Sequence, residues 1–135
     1  MNVWESGRES SLLDEIISGR KTVEGRLNRS KFAAYMPGDM IRLRRDIRQS
    51  DGALIDGEPD AAQVTIVAVR HYATFIEMVS AEGFQKVIPQ AATAQEAADE
   101  YDKYYPAEDQ AQYGVLAIEV KLVRATEVQP SGDGI

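Results

Sequence analysis

Apolar residues recur at helical spacing in three segments of the chain, and each predicts a short amphipathic helix. Every one of these segments opens on a capping-box pattern, with Ser or Thr three positions before an acidic residue. The predicted helices run over about Ser11–Ser18, Thr74–Glu82 and Ala94–Tyr105. Gly19, Gly83 and Pro106 end them, because glycine suits a helix C-terminus and proline cannot continue one.

Apolar and polar positions alternate in other segments, which predicts β-strands. These strands cover Thr22–Leu27, Met40–Arg45, Val64–Tyr72 and Gly114–Val123. The third is β-branched and mostly apolar, so we expect it at the centre of a sheet. Gln49–Gln63, rich in Asp and Gly, is predicted to be a loop or a small hairpin.

This order of elements has single short helices between strands and no regular βα alternation. It predicts an α+β fold, in which a small, partly closed β-barrel is flanked by short helices. We expect one domain over residues 1–128 and a disordered tail over 129–135, QPSGDGI.

Composition excludes several classes of protein. The chain of 135 residues is 44% hydrophobic and has no cysteine, so it can bury a core but has neither disulfides nor thiolate ligands for zinc. His71 is the single histidine and is interpreted as a strand-end residue. No apolar run is long enough to span a bilayer, and the acidic start is unlike a signal peptide. We therefore expect a soluble, cytoplasmic protein with no membrane contact.

The charge is unevenly distributed. Although the net charge is -7, the segment Arg20–Arg48 holds nine basic and three acidic residues, whereas Glu77–Glu119 holds nine acidic and two basic ones. The basic segment suits an anionic ligand, and the acidic helix near Glu96–Asp109 could instead dock a protein partner, whose identity is unknown. Two solvated surfaces of opposite charge are the plain alternative.

The stretch GRKTVEGRL, Gly19 to Leu27, concentrates charge where a helix gives way to a strand. On the strand, Val23, Gly25 and Leu27 should face inward, and Thr22, Glu24 and Arg26 should share the other face. Neighbours two positions apart lie about 6 to 7 Å from each other, so Glu24 and Arg26 either form an exposed ion pair or line a groove together. In a groove, Arg26 could hold a phosphate, and Lys21 could act as a base if Arg20 and Arg26 lower its pKa.

Aromatic residues supply the second candidate feature. Phe75 and Tyr101 fall on apolar helix faces and are assigned to the core. Tyr72, Tyr104, Tyr105 and Tyr113 lie near turns or a strand end and could stack on bases. The predicted ligand-binding set is Arg20, Lys21, Thr22, Glu24, Arg26, Tyr72 and Tyr113, with Lys21 and Glu24 as catalytic candidates.

The order of motifs along the chain resembles the ASCH domain family of the PUA-like superfamily. The motifs are a helix ending in GRKT, the VEGR strand, the PGD turn, the HYATF helix start, KVIP, the YYP turn and the YGVLAI strand, within about Leu12–Val123. The resemblance implies a PUA-like barrel whose cleft is lined by the GRKTVEGR segment and binds RNA or a modified nucleoside. Lys21, Glu24 and Arg26 fall on the family's motif positions.

The resemblance also implies two hydrolase chemistries. In one, acetylcytidine hydrolysis, a lysine equivalent to Lys21 activates a threonine three positions later, with help from a downstream glutamate. Here Glu24 occupies the threonine position, Thr22 is the nearby hydroxyl, and Glu82 is the nearest downstream carboxylate. The other chemistry is metal-dependent cleavage of single-stranded RNA. We predict no resident cofactor, apart from a divalent metal if the protein is a ribonuclease.

Overall fold

A computed structural model describes residues 1–126 of the chain. Its elements in chain order are β1 (Val3–Glu9), α1 (Ser10–Ile17), β2 (Val23–Leu27), a 3-10 helix (Ser30–Ala34), β3 (Met40–Arg48), β4 (Leu54–Asp56), β5 (Ala62–Tyr72), α2 (Phe75–Glu82), α3 (Phe84–Val87), α4 (Ala94–Asp102), α5 (Ala107–Tyr113) and β6 (Val115–Ala125). The fold is α+β, as predicted. The predicted disordered tail lies outside the described residues.

The six strands form one mixed sheet in the order β1-β3-β5-β6-β2, with β4 paired to β3. Only β1 and β3 run parallel, and β5 lies at the centre as expected. Within residues 1–126 the edge strands β1 and β2 form no backbone ladder with each other, so the prediction of a barrel is wrong. Instead, Arg8 on β1 donates to both carboxylate oxygens of Glu24 on β2. Because these two long side chains meet between β1 and β2, the strands lie farther apart than the roughly 5 Å that separates hydrogen-bonded strands. The sheet is therefore open at this seam.

Each face of the sheet is covered by its own core, and β6 contributes to both. Leu116, Ile118 and Val120 pack in the core that contains α1, whereas Val115 and Ala117 pack in the core formed with α2 and α4. Because successive side chains of a strand point to opposite faces, a strand buried on both sides is apolar throughout. This explains the uninterrupted apolar run over residues 115–118 at the start of β6.

Helix starts follow the predicted capping boxes in two cases out of three. Thr74 and Thr93 accept hydrogen bonds from the backbone N–H groups of Glu77 and Glu96, as the pattern predicts. The capping box at Ser11 is wrong, because β1 runs directly into α1 and the Ser11 hydroxyl donates to the Glu9 carboxylate instead. Strand β1 and helix α5 have no counterpart among the predicted elements. In residues 1–126 no helix is both long and apolar enough to cross a bilayer.

Candidate functional site

A cavity of about 370 Å³ opens at the seam between β1 and β2. We call it the seam cavity. Its lining comes from α1, β1, β2, α4 and the segments that follow α1, α3 and α4. The lining residues are Arg8, Glu9, Ser11, Leu12, Lys21, Glu24, Arg26, Ile88, Gln90, Glu100, Tyr101, Tyr104 and Tyr105. Its volume falls in the usual range for sites that bind small molecules. Three residues of the GRKTVEGRL stretch therefore lie together at one concave surface.

Glu24 is the buried carboxylate of this cavity, with only 2% of its surface exposed. Its partner is Arg8, whose Nε and Nη2 donate at 2.6 and 2.8 Å to the two carboxylate oxygens. Burial alone would raise the pKa of Glu24, but the charge and the hydrogen bonds of Arg8 hold it well below its usual range. Glu24 thus stays ionised and can only accept hydrogen bonds. Of the two alternatives for Glu24 and Arg26, the structure shows the shared lining of a concavity and not an exposed ion pair.

Lys21 is also buried, at 5% exposure, and its Nζ donates to the carbonyl oxygens of Val87 at 2.5 Å and Val23 at 3.2 Å. Burial is the main reason that the pKa of Lys21 is lowered to about 8, with Glu24 opposing the change and Arg26 and Arg8 adding to it. A neutral fraction of about a tenth then exists near pH 7, enough for the amine to act as a base.

Arg26 is half-buried and held in place from two sides. Its Nη1 donates to the Gly25 carbonyl at 2.9 Å, and its guanidinium carbon lies 5.1 Å from the centroid of the Phe32 ring. Among the described residues no carboxylate lies within 4.0 Å of it. Because an arginine is always charged, Arg26 gives the cavity a positive charge that no carboxylate of the described residues contacts directly.

Tyrosines form the opposite wall. The Tyr101 ring stacks on Phe75 with centroids 4.4 Å apart, and its hydroxyl accepts from the Gly25 backbone N–H at 3.2 Å. A Cβ on Gly25 would lie 2.8 Å from this ring, so the glycine allows the close approach of Tyr101 and not that of a ligand. Tyr105 also stacks on Phe75, at 5.3 Å, whereas Tyr104 is 74% exposed at the rim. The core assignment of Phe75 and Tyr101 is confirmed.

The other predicted site residues lie elsewhere. Arg20 is exposed and paired with Glu15, and the main causes that act on the pKa of Lys21 are burial and the charges of Glu24, Arg26 and Arg8. Tyr113 lies beneath the guanidinium of Arg29, at 5.2 Å from its ring centroid. His71 is exposed near the end of β5.

Thr22 and Tyr72 line a second concavity of about 390 Å³, which we call the polar depression. Its lining is Thr22, Val23, Arg70, Tyr72, Ala81, Glu82, Lys86 and Glu119. Here Arg70 donates to both oxygens of Glu82 at 2.5 and 2.7 Å and to Glu119 at 2.8 Å, and the Tyr72 hydroxyl donates to Glu82 at 2.6 Å. The structure therefore separates Thr22 and Glu82 from Lys21.

Arg8 is the residue of the seam cavity that sequence reasoning missed. It lies in a strand that was not predicted, and no motif marks it. The remaining signal was weak: Val3 and Trp4, both strand-forming residue types, precede it by a few positions. In the described residues, no group of three or more His, Asp or Glu side chains is arranged to hold a metal ion.

Comparison with known proteins identifies the family of the chain. The family model of the ASCH domain matches residues 10–124. The chain belongs to the ASCH domain family. ASCH domains are part of the PUA-like superfamily, whose domains are generally associated with RNA. Arg8 lies just outside the matched range.

Solved structures agree with this assignment. The hypothetical protein PH0355 is 30% identical with a TM-score of 0.73, and the match covers 90% of this chain and 99% of that one. Protein PF0455 from Pyrococcus furiosus is also 30% identical, with a TM-score of 0.69 and coverage of 90% and 98%. A mutant of the ZmASCH protein from Zymomonas mobilis shares the fold at 12% identity, with a TM-score of 0.53 and coverage of 92% and 74%. No curated protein matches this ASCH domain.

Proposed function

We propose that this ASCH domain binds single-stranded RNA or a modified nucleoside in the seam cavity. The observation that carries the proposal is the meeting of Lys21, Glu24 and Arg26 with a tyrosine wall in one concavity. Aromatic rings stack on bases whatever their sequence, and the exposed ring of Tyr104 is available at the rim for this purpose.

Hydrogen-bonding groups in the cavity complement a base edge. Glu24 is fixed by Arg8 as an acceptor and suits an N–H group such as an exocyclic amine. Lys21 and the Tyr101 hydroxyl supply donors, since the hydroxyl accepts from Gly25 and retains its own proton. Arg26 can contact a phosphate or lie over the face of a base.

Binding is tested by titrating a fluorescently labelled hexamer of single-stranded RNA and a panel of free and acylated nucleosides. Tyr104→Ala should weaken RNA binding by about 5- to 150-fold, because loss of one base stack costs about 1–3 kcal/mol. Val123→Ala, which also removes exposed apolar surface but lies outside the cavity lining, is the matched control. Wild-type protein that binds none of these ligands at low salt would refute the proposal.

Hydrolysis is a second candidate, favoured by the buried amine of Lys21 beside an ionised carboxylate. Because Thr22 and Glu82 line the polar depression, a reaction in the seam cavity would use water activated directly by Lys21. Acylated nucleosides and RNA should then be cleaved by wild type and spared by Lys21→Met, even at ligand concentrations that offset the weaker binding caused by loss of the Lys21 donor. Mass spectrometry measures the products. Full turnover by Lys21→Met would exclude this role for the lysine.

A further inference from the structure

Two cations, Arg26 and Lys31, lie around the ring of Phe32 beside the seam cavity. The Lys31 ammonium lies 5.6 Å from the centroid of this ring, and the Arg26 guanidinium lies 5.1 Å from it. We call Arg26, Lys31 and Phe32 the Phe32 platform. Since Arg26 also lines the cavity, the platform is continuous with it.

Both cations are held in place by the protein before any ligand arrives. The Lys31 Nζ donates to the backbone carbonyl of Glu5 at 2.8 Å, and Arg26 donates to that of Gly25. Phe32 is half-buried and packs against the core that contains α1. Groups already ordered in this way lose little conformational freedom when they bind, which favours affinity.

The surroundings of Lys31 are positive. Burial is the first cause that lowers its pKa, and the further causes are the charges of Arg8, Arg26 and Arg44. Arg8 and Arg44 are neutralised by Glu24 and Asp46. Within residues 1–126, neither Arg26 nor Lys31 has a carboxylate within 4.0 Å. Two cations that contact the same aromatic ring and lack a carboxylate partner make this surface attractive to an anion.

We propose that the Phe32 platform binds the phosphate that flanks the nucleotide in the seam cavity, so that the preferred ligand is an RNA strand and not a free nucleoside. This inference rests on the function proposed above and specifies its ligand class. Lys31 supplies a point charge and Arg26 a planar fork of donors, two complementary ways of holding phosphate oxygens.

The test compares RNA with the corresponding nucleosides in wild type, Lys31→Ala, Lys31→Arg and Lys121→Ala. Affinity of the RNA hexamer is measured over a series of NaCl concentrations. Lys31→Ala should weaken RNA binding about 3- to 10-fold at low salt and lower the slope of log K against log salt by about 0.7, the loss of one phosphate contact. Lys31→Arg should keep the slope, and nucleoside binding should not change.

Lys121 is the matched control, because it is an exposed lysine with no carboxylate within 4.0 Å among the described residues, and its substitution removes the same charge elsewhere. If Lys31→Ala and Lys121→Ala weaken RNA binding equally, the Phe32 platform is not a specific phosphate site, although the proposed RNA binding itself would still stand. A wild type that binds a glutamate polymer or phosphatidylserine vesicles as tightly as RNA would overturn the assignment to RNA phosphate. Absence of any RNA binding would instead refute the proposed function.

Discussion

The seam cavity and the polar depression have the same central motif but differ in charge balance. In each, an arginine donates to both oxygens of a glutamate whose side chain is largely buried: Arg8 to Glu24 in one, Arg70 to Glu82 in the other. In the polar depression Glu119 and Tyr72 complete the network, and the two glutamates balance Arg70 and Lys86. In the seam cavity Glu9 and Glu100 also belong to the lining, but they pair with Arg48 and Lys103 outside it. Among the described residues, Lys21 and Arg26 therefore have no carboxylate within 4.0 Å.

This difference is the reason that we propose a ligand for the seam cavity and a structural role for the network of the polar depression. Charges that are fully paired within the protein gain nothing from a ligand, whereas uncompensated cations in a concavity attract one. The presence of an Arg–Glu pair is therefore uninformative, and our proposal of a ligand rests on the cations around the pair that no carboxylate contacts.

The largest expected effect concerns the two ion pairs themselves. Arg8→Met leaves Glu24 buried without a partner and should lower the free energy of unfolding by about 3–5 kcal/mol. Arg70→Met should cost only about 1 kcal/mol, since Arg70 is 38% exposed and Glu82 keeps its bond to Tyr72. Urea unfolding measures both.

The double variant Arg8→Met, Glu24→Gln provides the control for folding. It removes the unpaired charge and should regain most of the stability lost in Arg8→Met. If Arg8→Met lowers the free energy of unfolding no more than Arg70→Met does, the Arg8–Glu24 pair does not stabilise the fold more than the Arg70–Glu82 pair, which would contradict this prediction.

Lys21 should give the seam cavity a distinct pH dependence. Its amine has a pKa of about 8 in the folded protein and 10.5 as its ordinary value, so between these pH values the unfolded chain binds more protons. The free energy of unfolding therefore rises with pH in this window, by at most about 1.4 kcal/mol per pH unit.

Above pH 10 a second group works in the opposite direction, because burial raises the pKa of Tyr101 to about 12. The useful window is thus about pH 8 to 10, where wild type should gain about 2 kcal/mol relative to Lys21→Met. Unfolding curves across this window measure the difference. If the free energies of unfolding of wild type and Lys21→Met change with pH in the same way, the pKa of Lys21 is not lowered in the folded protein.

A smaller effect distinguishes the two tyrosines. Tyr101→Phe leaves the buried N–H of Gly25 without its acceptor and should cost about 1–3 kcal/mol. Tyr72→Phe removes a donor from Glu82, which Arg70 still satisfies, and should cost about 0.5–1.5 kcal/mol. Thermal unfolding of the two variants checks the order, and a reversed order would contradict the assigned roles.

Local features of the fold were accessible from sequence. Thr74 and Thr93 were predicted as helix caps because a capping box needs only residues three positions apart. The alternation in Val23–Leu27 predicted which residues face the helices. Ser11 failed as a cap because the preceding strand, which had no clear pattern, fixed the start of α1 instead.

Non-local features could not be predicted in this way. Alternation shows that a strand exists but not whether two edge strands pair, so the open seam was missed. The partner of Glu24 is separated from it by the whole of α1, and no spacing rule connects the two residues. Family resemblance marked Lys21, Glu24 and Arg26, but it did not show that Thr22 and Glu82 belong to a different concavity.

The most direct test of the account compares one arginine from each concavity. Binding of the single-stranded RNA hexamer is measured at low salt for wild type, Arg26→Met and Arg70→Met, after circular dichroism has shown that all three are folded. We predict at least about tenfold weaker binding for Arg26→Met and unchanged binding for Arg70→Met, because only Arg26 is an uncompensated cation. Equal losses in both variants, or a loss confined to Arg70→Met, would contradict the claim that the seam cavity is the ligand site.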